Sequence, residues 1–308
     1  MKIGINASGQ LTSPDIDAMV ADATSSEASG FGSWWLAQTG LVDAMTALAV
    51  AGRETSEIEL GTAVVPTWTR HPETLAAGAM TAQAAAPGRI VVGVGLSHQP
   101  AVEGYWGMTW ERPVKHMSEY LAILDSLLET GTASFQGEIW TAHRQASAPT
   151  ASGESTGKPL VMLAALGEQM LKMAGKRSDG TILWCVGPKT LSDQIVPIID
   201  AAADAAGRPT PRKVCSLPVC VTDDPGPTRA FIADMLKIYA ELPSYRAMLD
   251  IEGVHGLGDL SLVGPEDEVR AGLDAIAAAG ATDFTAVVIP SAEGPGRTLD
   301  CLRAYAAG

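Results

Sequence analysis

Histidine is the side chain that most often exchanges protons near neutral pH, and His98 occupies a position where such chemistry would be useful. It lies two residues after an apolar run that ends at Leu96. A histidine there could exchange a proton with a substrate or contact a cofactor, and the alternative is a solvated loop histidine. The remaining histidines show no pairing at the spacing of metal ligands, so the sequence predicts no metal site. They are His71, His116, His143 and His255.

Motifs that mark several reaction classes are missing from the sequence. Residues 93–95 form a Gly-Val-Gly, but they lie inside an apolar run and no third glycine follows, so the dinucleotide-binding fingerprint fails. The HExxH, GxSxG and GxxxxGK(S/T) motifs are absent, which leaves zinc peptidases, serine hydrolases and phosphate-loop nucleotidases without support. The adjacent Asp223 and Asp224 precede Pro225, and we interpret them as a turn and a helix cap, not as an acid–base pair.

Short apolar runs alternate with helical segments along the chain. The runs are almost continuously apolar, as expected of strands buried on both faces of a parallel sheet. They cover residues 1–6, 33–37, 58–65, 89–96, 159–165, 180–185, 213–222 and 284–290. Helices are predicted in residues 43–52, 72–86, 113–129, 168–175, 188–206, 225–239, 265–280 and 297–307. A further helix is expected to start with Ser13 as N-cap and Pro14 in its first turn.

Eight strand–helix units in 308 residues predict an α/β fold, a (β/α)8 barrel that forms one domain over residues 1–308. Residues 130–157, rich in Gly, Ser, Thr and Pro, form an insertion between strands 4 and 5 and should contain a hairpin or an active-site cover. Of the neighbours Trp34 and Trp35, one should point into the barrel and the other toward the helices. Functional residues are expected just after the strands' C-terminal ends.

Composition excludes several kinds of partner. The chain has 21 Lys and Arg against 35 Asp and Glu, for a formal net charge of -14, so we expect it to bind neither nucleic acid nor an anionic membrane surface. The N-terminal residues lack the apolar core of a signal peptide, and no apolar run has the length of a membrane span. The four cysteines show no CxxC spacing. We therefore predict a cytoplasmic protein with reduced thiols.

Several segments, taken in order, are similar to the bacterial luciferase-like superfamily. They are residues 30–37 (GFGSWWLA), 60–66 (LGTAVVP), 69–72 (TRHP), 88–95 (GRIVVGVG), 162–171 (MLAALGEQML), 174–175 and 178–180. Within that superfamily the sequence is most similar to the oxidoreductases that use the deazaflavin coenzyme F420. The resemblance implies a barrel with an isoalloxazine-type ring across its C-terminal mouth, hydride transfer at C5 of that ring, a small-molecule substrate and a homodimer.

The resemblance also implies which residues contact the cofactor. A non-prolyl cis peptide in strand three would back the ring, and the matching position is Ala63–Val64, beside the small Gly61. The implied contacts are Ala63, Val64, Gly95, Ser97, Ala165, Leu166, Gly167, Glu168 and Gly187. Residues 164–168 lead from strand five into a helix, whose free N–H groups suit a phosphate. Arg112, Lys115, His116 or Lys158 could meet the phosphate and the oligoglutamate tail, and the alternative is a set of solvated surface charges.

Two departures from the family pattern bear on the reaction. Many relatives have an Asp-His pair after strand two, where this chain has Gln38 and Thr39, and one branch has a Glu where Leu96 stands. A group that accepts the proton of an alcohol is thus missing at both positions. This favours reduction of an activated C=C or C=N bond by reduced F420, with protonation from water, His98 or a tyrosine. Gln38 and Thr39 could hydrogen-bond the ring or the substrate, and the alternative is a polar loop.

Three other functions remain compatible with the sequence. The same fold supports an FMN-dependent monooxygenase supplied by a separate reductase. A non-catalytic flavin- or deazaflavin-binding protein would agree with the missing Asp-His pair. A cofactor-free barrel lyase would need a catalytic lysine or a metal set that the sequence does not locate.

Overall fold

The computed structural model describes residues 1–145 and 157–308. Eight parallel strands form a closed barrel, in which each strand pairs with the next and the eighth pairs with the first. In chain order the barrel strands are Lys2–Asn6, Ser33–Leu36, Glu59–Thr62, Ile90–Gly95, Leu160–Ala164, Gly180–Trp184, Arg212–Val221 and Asp283–Val288. The predicted (β/α)8 barrel is confirmed.

The strands form where the sequence is apolar on both faces, because each strand packs against the barrel interior and against the outer helices. All six residues of Ile90–Gly95 are buried, for example. The third strand is shorter than predicted. It ends at Thr62, and the chain rejoins the sheet as the two-residue strand Val65–Pro66, which pairs with the fourth barrel strand.

Helices surround the barrel. Apart from those in residues 222–265, their bounds are Ile16–Ala28, Ala44–Glu54, Pro72–Ala85, Gln99–Gly104, Pro113–Thr130, Glu168–Arg177, Pro188–Thr190, Leu191–Ile195 (a π-helical turn), Val196–Ala205, Glu266–Ala278 and Gly296–Ala306. A 3₁₀ turn spans Ser8–Thr12. The predicted N-cap of the first helix, Ser13, is wrong. Asp15 is the N-cap, and its carboxylate accepts the N–H of Ala18 at 2.9 Å. Among the described residues, none of these helices is long and apolar enough to cross a membrane.

The insertion between the fourth and fifth barrel strands contains the predicted hairpin. Strands Ala133–Gln136 and Thr141–Arg144 pair antiparallel. The turn between them lies on the buried carboxylate of Glu119, which accepts the N–H groups of Glu138, Ile139 and Trp140 at 3.1, 2.8 and 2.9 Å. The rest of the predicted cover, residues 146–156, lies outside the described residues.

A second excursion, after the seventh barrel strand, was not predicted as such. Residues 222–265 form helices Pro225–Met235, Lys237–Glu241, Pro243–Glu252 and Leu257–Leu260 and the short strand Leu262–Gly264. That strand pairs parallel with Val219–Val221, the C-terminal end of the seventh barrel strand. The whole excursion therefore lies at the mouth of the barrel, before helix Glu266–Ala278 returns the chain to the other end. The single predicted helix 225–239 is divided in two at Leu236.

Candidate active site

The barrel mouth contains the peptide that the resemblance singled out. The bond between Ala63 and Val64 is cis, as expected. Its neighbours hold it by backbone hydrogen bonds: the Ala63 N–H donates to the Leu36 carbonyl at 2.8 Å, and the Gln38 N–H donates to the Val64 carbonyl at 3.0 Å. Ala63 and Val64 are half-buried, so this peptide forms part of the floor of the mouth.

Trp35 fills the barrel interior below that floor. It is fully buried and packs in a cluster with four apolar side chains, and Ala63 and Val64 lie against the cluster. The four are Val91, Met162, Ile182 and Val214. A Cβ on Gly61 would lie 2.2 Å from the Trp35 ring, so the missing side chain of Gly61 makes room for Trp35. The small size of Gly61, beside the cis peptide, therefore serves the packing of Trp35 and leaves no space for a cofactor ring.

The two tryptophans of the second strand face opposite sides, as predicted. Trp34 Nε1 donates to the Asp22 carboxylate of helix Ile16–Ala28 at 2.7 Å. Trp35 Nε1 is buried and has no hydrogen-bond partner among the described residues. A buried donor without a partner costs about 1–3 kcal/mol, so this indole N–H is a cost of packing Trp35 inside the barrel.

Backbone geometry is unusual at two other points of the mouth. Ser97 and Cys185 have φ values of 59° and 54°, in the left-handed region that few non-glycine residues adopt. Such conformations cost of order 1–3 kcal/mol and persist where the surroundings determine them. Ser97 directly precedes His98, and Cys185 directly follows Trp184, the last residue of the sixth barrel strand. The strained backbone therefore orients two aromatic side chains of the mouth.

His98 belongs to an aromatic cluster, which we define as His98, Trp184, Tyr239 and Tyr245. The His98 ring makes edge contacts with Tyr239 and Tyr245, at centroid distances of 5.6 and 5.7 Å. Tyr239 also contacts Tyr245 at 5.2 Å and Trp184 at 6.3 Å. The connections after the fourth and seventh strands meet the end of the sixth strand in this cluster. A solvated loop histidine, the alternative interpretation, does not describe His98.

Burial sets the protonation states of the aromatic cluster. It lowers the pKa of His98 and raises the pKa values of Tyr239 and Tyr245. No carboxylate of the described residues stabilises the His98 imidazolium, so nothing offsets the effect of burial. The cluster thus presents a neutral imidazole and two neutral phenols at pH 7.

Tyr239 and Tyr245 were not identified as individual site residues from the sequence. They lie in the excursion after the seventh strand, far along the chain from His98. One signal was available, because the chain has only five tyrosines and aromatic residues make up 5% of it. Two of those five in one short segment before the last strand could have been noted.

The side-chain amide of Gln38 is engaged in hydrogen bonds within its own loop. The Gln38 amide donates to the carbonyls of Gly40 and Val42 at 2.8 and 2.7 Å, and its oxygen accepts the Ala44 N–H at 2.8 Å. These bonds close the loop that leads into helix Ala44–Glu54. Thr39 is exposed. Gln38 therefore holds the loop in shape.

The helix after the fifth barrel strand has an open N-terminus. Its N-cap is Gly167, with no side-chain hydrogen bond, and a Cβ added to Gly167 would meet nothing within 4 Å. The Glu168 carboxylate turns to Lys172, and Gln194 donates to the Leu166 carbonyl at 3.1 Å. Free N–H groups beside open space suit a phosphate. Ala165 is buried below this turn.

The helix after the sixth strand already has an anion at its N-terminus. The Glu252 carboxylate accepts the N–H groups of Thr190 and Lys189 at 2.6 and 3.3 Å. A Cβ on Gly187 would lie 2.5 Å from that carboxyl group, which explains the glycine. Gly95 is also a close-packing glycine, because its Cβ would lie 2.6 Å from Val64 Cγ2. Of these two helix ends, the one at Gly167 is open to a phosphate.

The basic residues proposed for a cofactor tail have partners within the chain. Arg112 and Lys115 both pair with Glu138, at 2.6 and 2.9 Å, and Lys158 pairs with Glu129. His116 is 1% exposed, and its Nε2 lies 2.9 Å from Thr67 Oγ1. Within residues 1–145 and 157–308, no group of three or more His, Cys, Asp or Glu side chains could hold a metal ion.

Comparison with known sequences gives a family match. The model of the luciferase-like monooxygenase family matches residues 1–283. An uncharacterised protein of Mycobacterium tuberculosis is 30% identical over 258 residues, which are 80% of this chain and 75% of that protein. The 5,10-methylenetetrahydromethanopterin reductase of Archaeoglobus fulgidus is 28% identical over 186 residues, 59% of this chain and 53% of the reductase.

Solved structures share the fold. An F420-dependent secondary alcohol dehydrogenase, in complex with an F420-acetone adduct, superposes with a TM-score of 0.78 at 18% identity over 99% of this chain and 97% of its own. The oxygenating constituent of 3,6-diketocamphane monooxygenase from Pseudomonas putida, in complex with FMN, gives 0.77 at 16% identity over 98% and 96%. The fold is thus common to proteins that bind a deazaflavin and proteins that bind a flavin.

Proposed function

Because the chain belongs to the luciferase-like monooxygenase family, we propose that it is an oxidoreductase that uses coenzyme F420 to reduce an activated C=C or C=N bond of a small organic substrate. Its similarity to the F420-dependent branch of that family supports the deazaflavin. A reductase among its sequence relatives supports the direction of the reaction. The FMN-bound structural neighbour makes FMN the cofactor against which F420 has to be tested.

The missing base at the positions that supply one in relatives is the observation that carries the proposed reduction. Oxidation of an alcohol needs a base to accept the hydroxyl proton, and the positions that supply it in relatives hold Gln38, Thr39 and Leu96 here. The Gln38 amide is hydrogen-bonded to the backbone of its own loop, and Leu96 packs against the apolar core. A neutral imidazole can instead donate a hydrogen bond to the oxygen or nitrogen of an unsaturated group.

The residues at the mouth fit a flat cofactor with a phosphate. The open N-terminus at Gly167 would hold the phosphate through backbone N–H groups, which lets an acidic chain bind an anion without a lysine. Ala63 and Val64 would form the floor below the ring, supported from the barrel interior by the buried Trp35. When bound, F420 supplies the hydride, and the chain supplies binding, orientation and electrostatics.

The roles of the chain's own residues follow from this arrangement. In an α,β-unsaturated ketone, the hydride adds to the β-carbon and the electron pair of the C=C bond moves onto the carbonyl oxygen. His98 donates a hydrogen bond to that oxygen and stabilises its developing charge. A solvent proton then completes the saturated product at the α-carbon. Tyr239 and Tyr245 exclude water from the face of His98 that they cover and keep its imidazole neutral.

A small-molecule substrate and a second copy of the chain are the partners that we propose. Helix Ala44–Glu54 is rich in alanine, which permits close helix packing, and its Val50 is 39% exposed. We expect sedimentation equilibrium to give a molar mass twice that of one chain. A monomer at micromolar concentration would contradict the homodimer and leave the proposed reaction intact.

Two parallel titrations test the cofactor. Purified protein is titrated with oxidised F420 and with FMN, and binding is read from the fluorescence of each cofactor. We expect F420 to bind at least about tenfold more tightly than FMN. The loaded protein should then oxidise reduced F420 when an enone or an imine is added.

Other outcomes of the titrations point to other functions. Preference for FMN would support a monooxygenase that receives reduced flavin from a separate enzyme. Tight F420 binding without turnover of any unsaturated substrate would support a binding protein. If neither cofactor binds, the proposed function is wrong.

A further inference from the structure

The most exposed apolar side chains lie on one face of the molecule. Among the described residues, four large apolar side chains are more than half exposed: Leu41 at 107%, Tyr105 at 81%, Ile238 at 67% and Phe231 at 57%. Leu41 follows the second barrel strand, Tyr105 follows the fourth, and Ile238 and Phe231 lie in the excursion after the seventh. All four therefore surround the mouth, and we call them the apolar rim.

Single exposed apolar residues are common on soluble proteins, but their restriction to one face is not explained by chance exposure. At the opposite end of the barrel, the described connections between helices and strands include no large apolar residue exposed to this degree. The four most exposed large apolar side chains thus lie where the candidate site opens. Apolar surface at such a place indicates a ligand or partner that covers it.

The apolar rim and the aromatic cluster share one helix, Lys237–Glu241. Ile238 directly precedes Tyr239, whose ring contacts His98 and Trp184. Tyr245, 6% exposed, closes the inner end against His98. A molecule entering past Ile238 would therefore meet ring faces and edges until it reached the imidazole. Tyr and Trp rings offer large apolar contact areas and a few hydrogen bonds, but no charge.

Charge argues against an ionic substrate. None of the ion pairs in the described part of the chain includes a residue of the aromatic cluster, and burial alone accounts for the neutral state of His98. A charged group placed among these rings would lose its hydration without gaining a counterion.

On the basis of the proposed function, we propose that the substrate is an uncharged molecule in which the C=C or C=N bond is conjugated to an aromatic or bulky apolar group. The apolar group lies between the apolar rim and Tyr239, and the polar end of the conjugated system reaches His98. Ile238 and Tyr239 are then determinants of substrate specificity.

Three matched ketones test this assignment. The probes are 4-phenyl-3-buten-2-one, the smaller 3-penten-2-one, and the phenyl compound with a para-carboxylate. Their dissociation constants are measured by quenching of protein fluorescence, without cofactor, and their kcat/KM values with reduced F420. We expect the neutral phenyl probe to bind at least about tenfold more tightly than either of the others.

Two variants locate the contact. Ile238→Gln should weaken binding of the phenyl probe by about threefold or more and leave 3-penten-2-one unchanged. Met80→Gln is the matched control, because Met80 is an exposed apolar residue at 37% on helix Pro72–Ala85 and is expected to change neither constant. Circular dichroism verifies that both variants are folded, and the comparison of probes on the unaltered protein does not depend on them.

Several results would overturn the assignment. Equal or tighter binding of the carboxylated probe or of 3-penten-2-one would exclude a neutral aromatic substrate. Co-sedimentation with phosphatidylcholine vesicles that is lost in Ile238→Gln, with no preference among the probes, would assign the apolar rim to a membrane surface. The proposed function is tested separately. If it is wrong, F420 does not bind, and the probe titrations, which contain no cofactor, still measure binding of the ketones.

Discussion

At the scale of single residues, His98 is where protonation and function should be coupled. Its burial lowers the pKa, so the ring is neutral at pH 7 and becomes protonated only as the pH falls through the lowered value. If the neutral ring is the active form, kcat/KM for an enone should decline on the acid side of that pKa and show no such decline above it. A pH–rate profile with reduced F420 measures this.

Substitution of the same residue separates hydrogen bonding from packing. His98→Phe keeps an aromatic ring in the cluster but cannot donate, so we expect kcat/KM to fall about 100-fold. His98→Gln keeps a donor and should lose about tenfold, without the acid limb of the pH profile. His143→Gln, at an exposed hairpin position, is the control. An unchanged rate in His98→Phe would remove His98 from the reaction.

His116 gives a stability prediction of the same kind. Burial lowers its pKa from 6.5 to about 4. Between these values the unfolded chain binds a proton that the folded chain does not, so stability falls as the pH decreases from 6.5 to 4. The loss is up to about 3 kcal/mol. Urea unfolding at pH 7 and pH 5 should show a smaller pH dependence in His116→Gln than in the unaltered chain, and an equal dependence would contradict the prediction.

At the scale of elements, the hairpin Ala133–Gln136 with Thr141–Arg144 is held by one carboxylate. Burial raises the pKa of Glu119, but three backbone N–H groups and Lys115 outweigh it and lower the pKa overall. A Cβ on Gly137 would lie 2.3 Å from Glu119 Oε2, so the turn needs glycine at that position. The hairpin is therefore attached to helix Pro113–Thr130 by hydrogen bonds to a charged acceptor.

Removing the charge should loosen this element alone. In Glu119→Gln the acceptor is neutral and one of its atoms is a donor, so we expect the hairpin to lose about 1–3 kcal/mol. Hydrogen exchange of the amides of residues 138–140 should accelerate by about tenfold or more. Glu138→Gln, which removes only exposed ion pairs with Arg112 and Lys115, should change it little. Faster exchange throughout the barrel would show that the hairpin is not an independent element.

The elements were largely predictable from sequence, because a strand that is buried on both faces is a continuous run of apolar residues, and such a run can be identified without knowledge of the rest of the fold. Seven of the eight barrel strands have predicted bounds within two residues of those observed. The third ends early, at Thr62, because the chain turns at Ala63–Val64, and apolar composition carries no signal of that turn. Gly61 illustrates the same limit, since only the fold shows that the Trp35 ring occupies its missing side-chain space.

The site was less predictable, because its contacts join distant parts of the chain. His98 could be placed after a strand, but its neighbours Tyr239 and Tyr245 come from helices whose position depends on the strand Leu262–Gly264. The Gln38 amide was expected to be able to bind the ring or the substrate, but it donates to the carbonyls of Gly40 and Val42. Side-chain hydrogen bonds of this kind depend on loop geometry, which residue types alone do not determine.

At the scale of the whole molecule, the two ends of the barrel differ in what their polar residues do. At the N-terminal end of the strands, Arg212 donates to both oxygens of Glu59 at 2.8 Å and to Asp283 at 2.5 and 3.3 Å. Lys2 adds contacts to both carboxylates. The first, third, seventh and eighth strands are thus joined by one ion network, far from the mouth that carries His98.

This division predicts that stability and cofactor binding can be changed separately. Burial raises the pKa of Asp283, but Arg212 outweighs it and lowers the pKa overall, so its contribution to stability is present above the pKa of an unfolded carboxyl and is lost as the pH falls through the folded value. Asp283→Asn leaves the buried network with an uncompensated positive charge and should cost about 3 kcal/mol in urea unfolding at pH 7.

Asp300→Asn, at an exposed position paired with Arg303, is the matched control and should cost less than about 1 kcal/mol. F420 affinity, measured by fluorescence at a pH and temperature where Asp283→Asn is folded, should stay within about twofold of the unaltered chain, because distant sites contribute independently. If F420 affinity fell together with stability, the mouth and the base of the barrel would be coupled, and the assignment of the base to folding alone would be wrong.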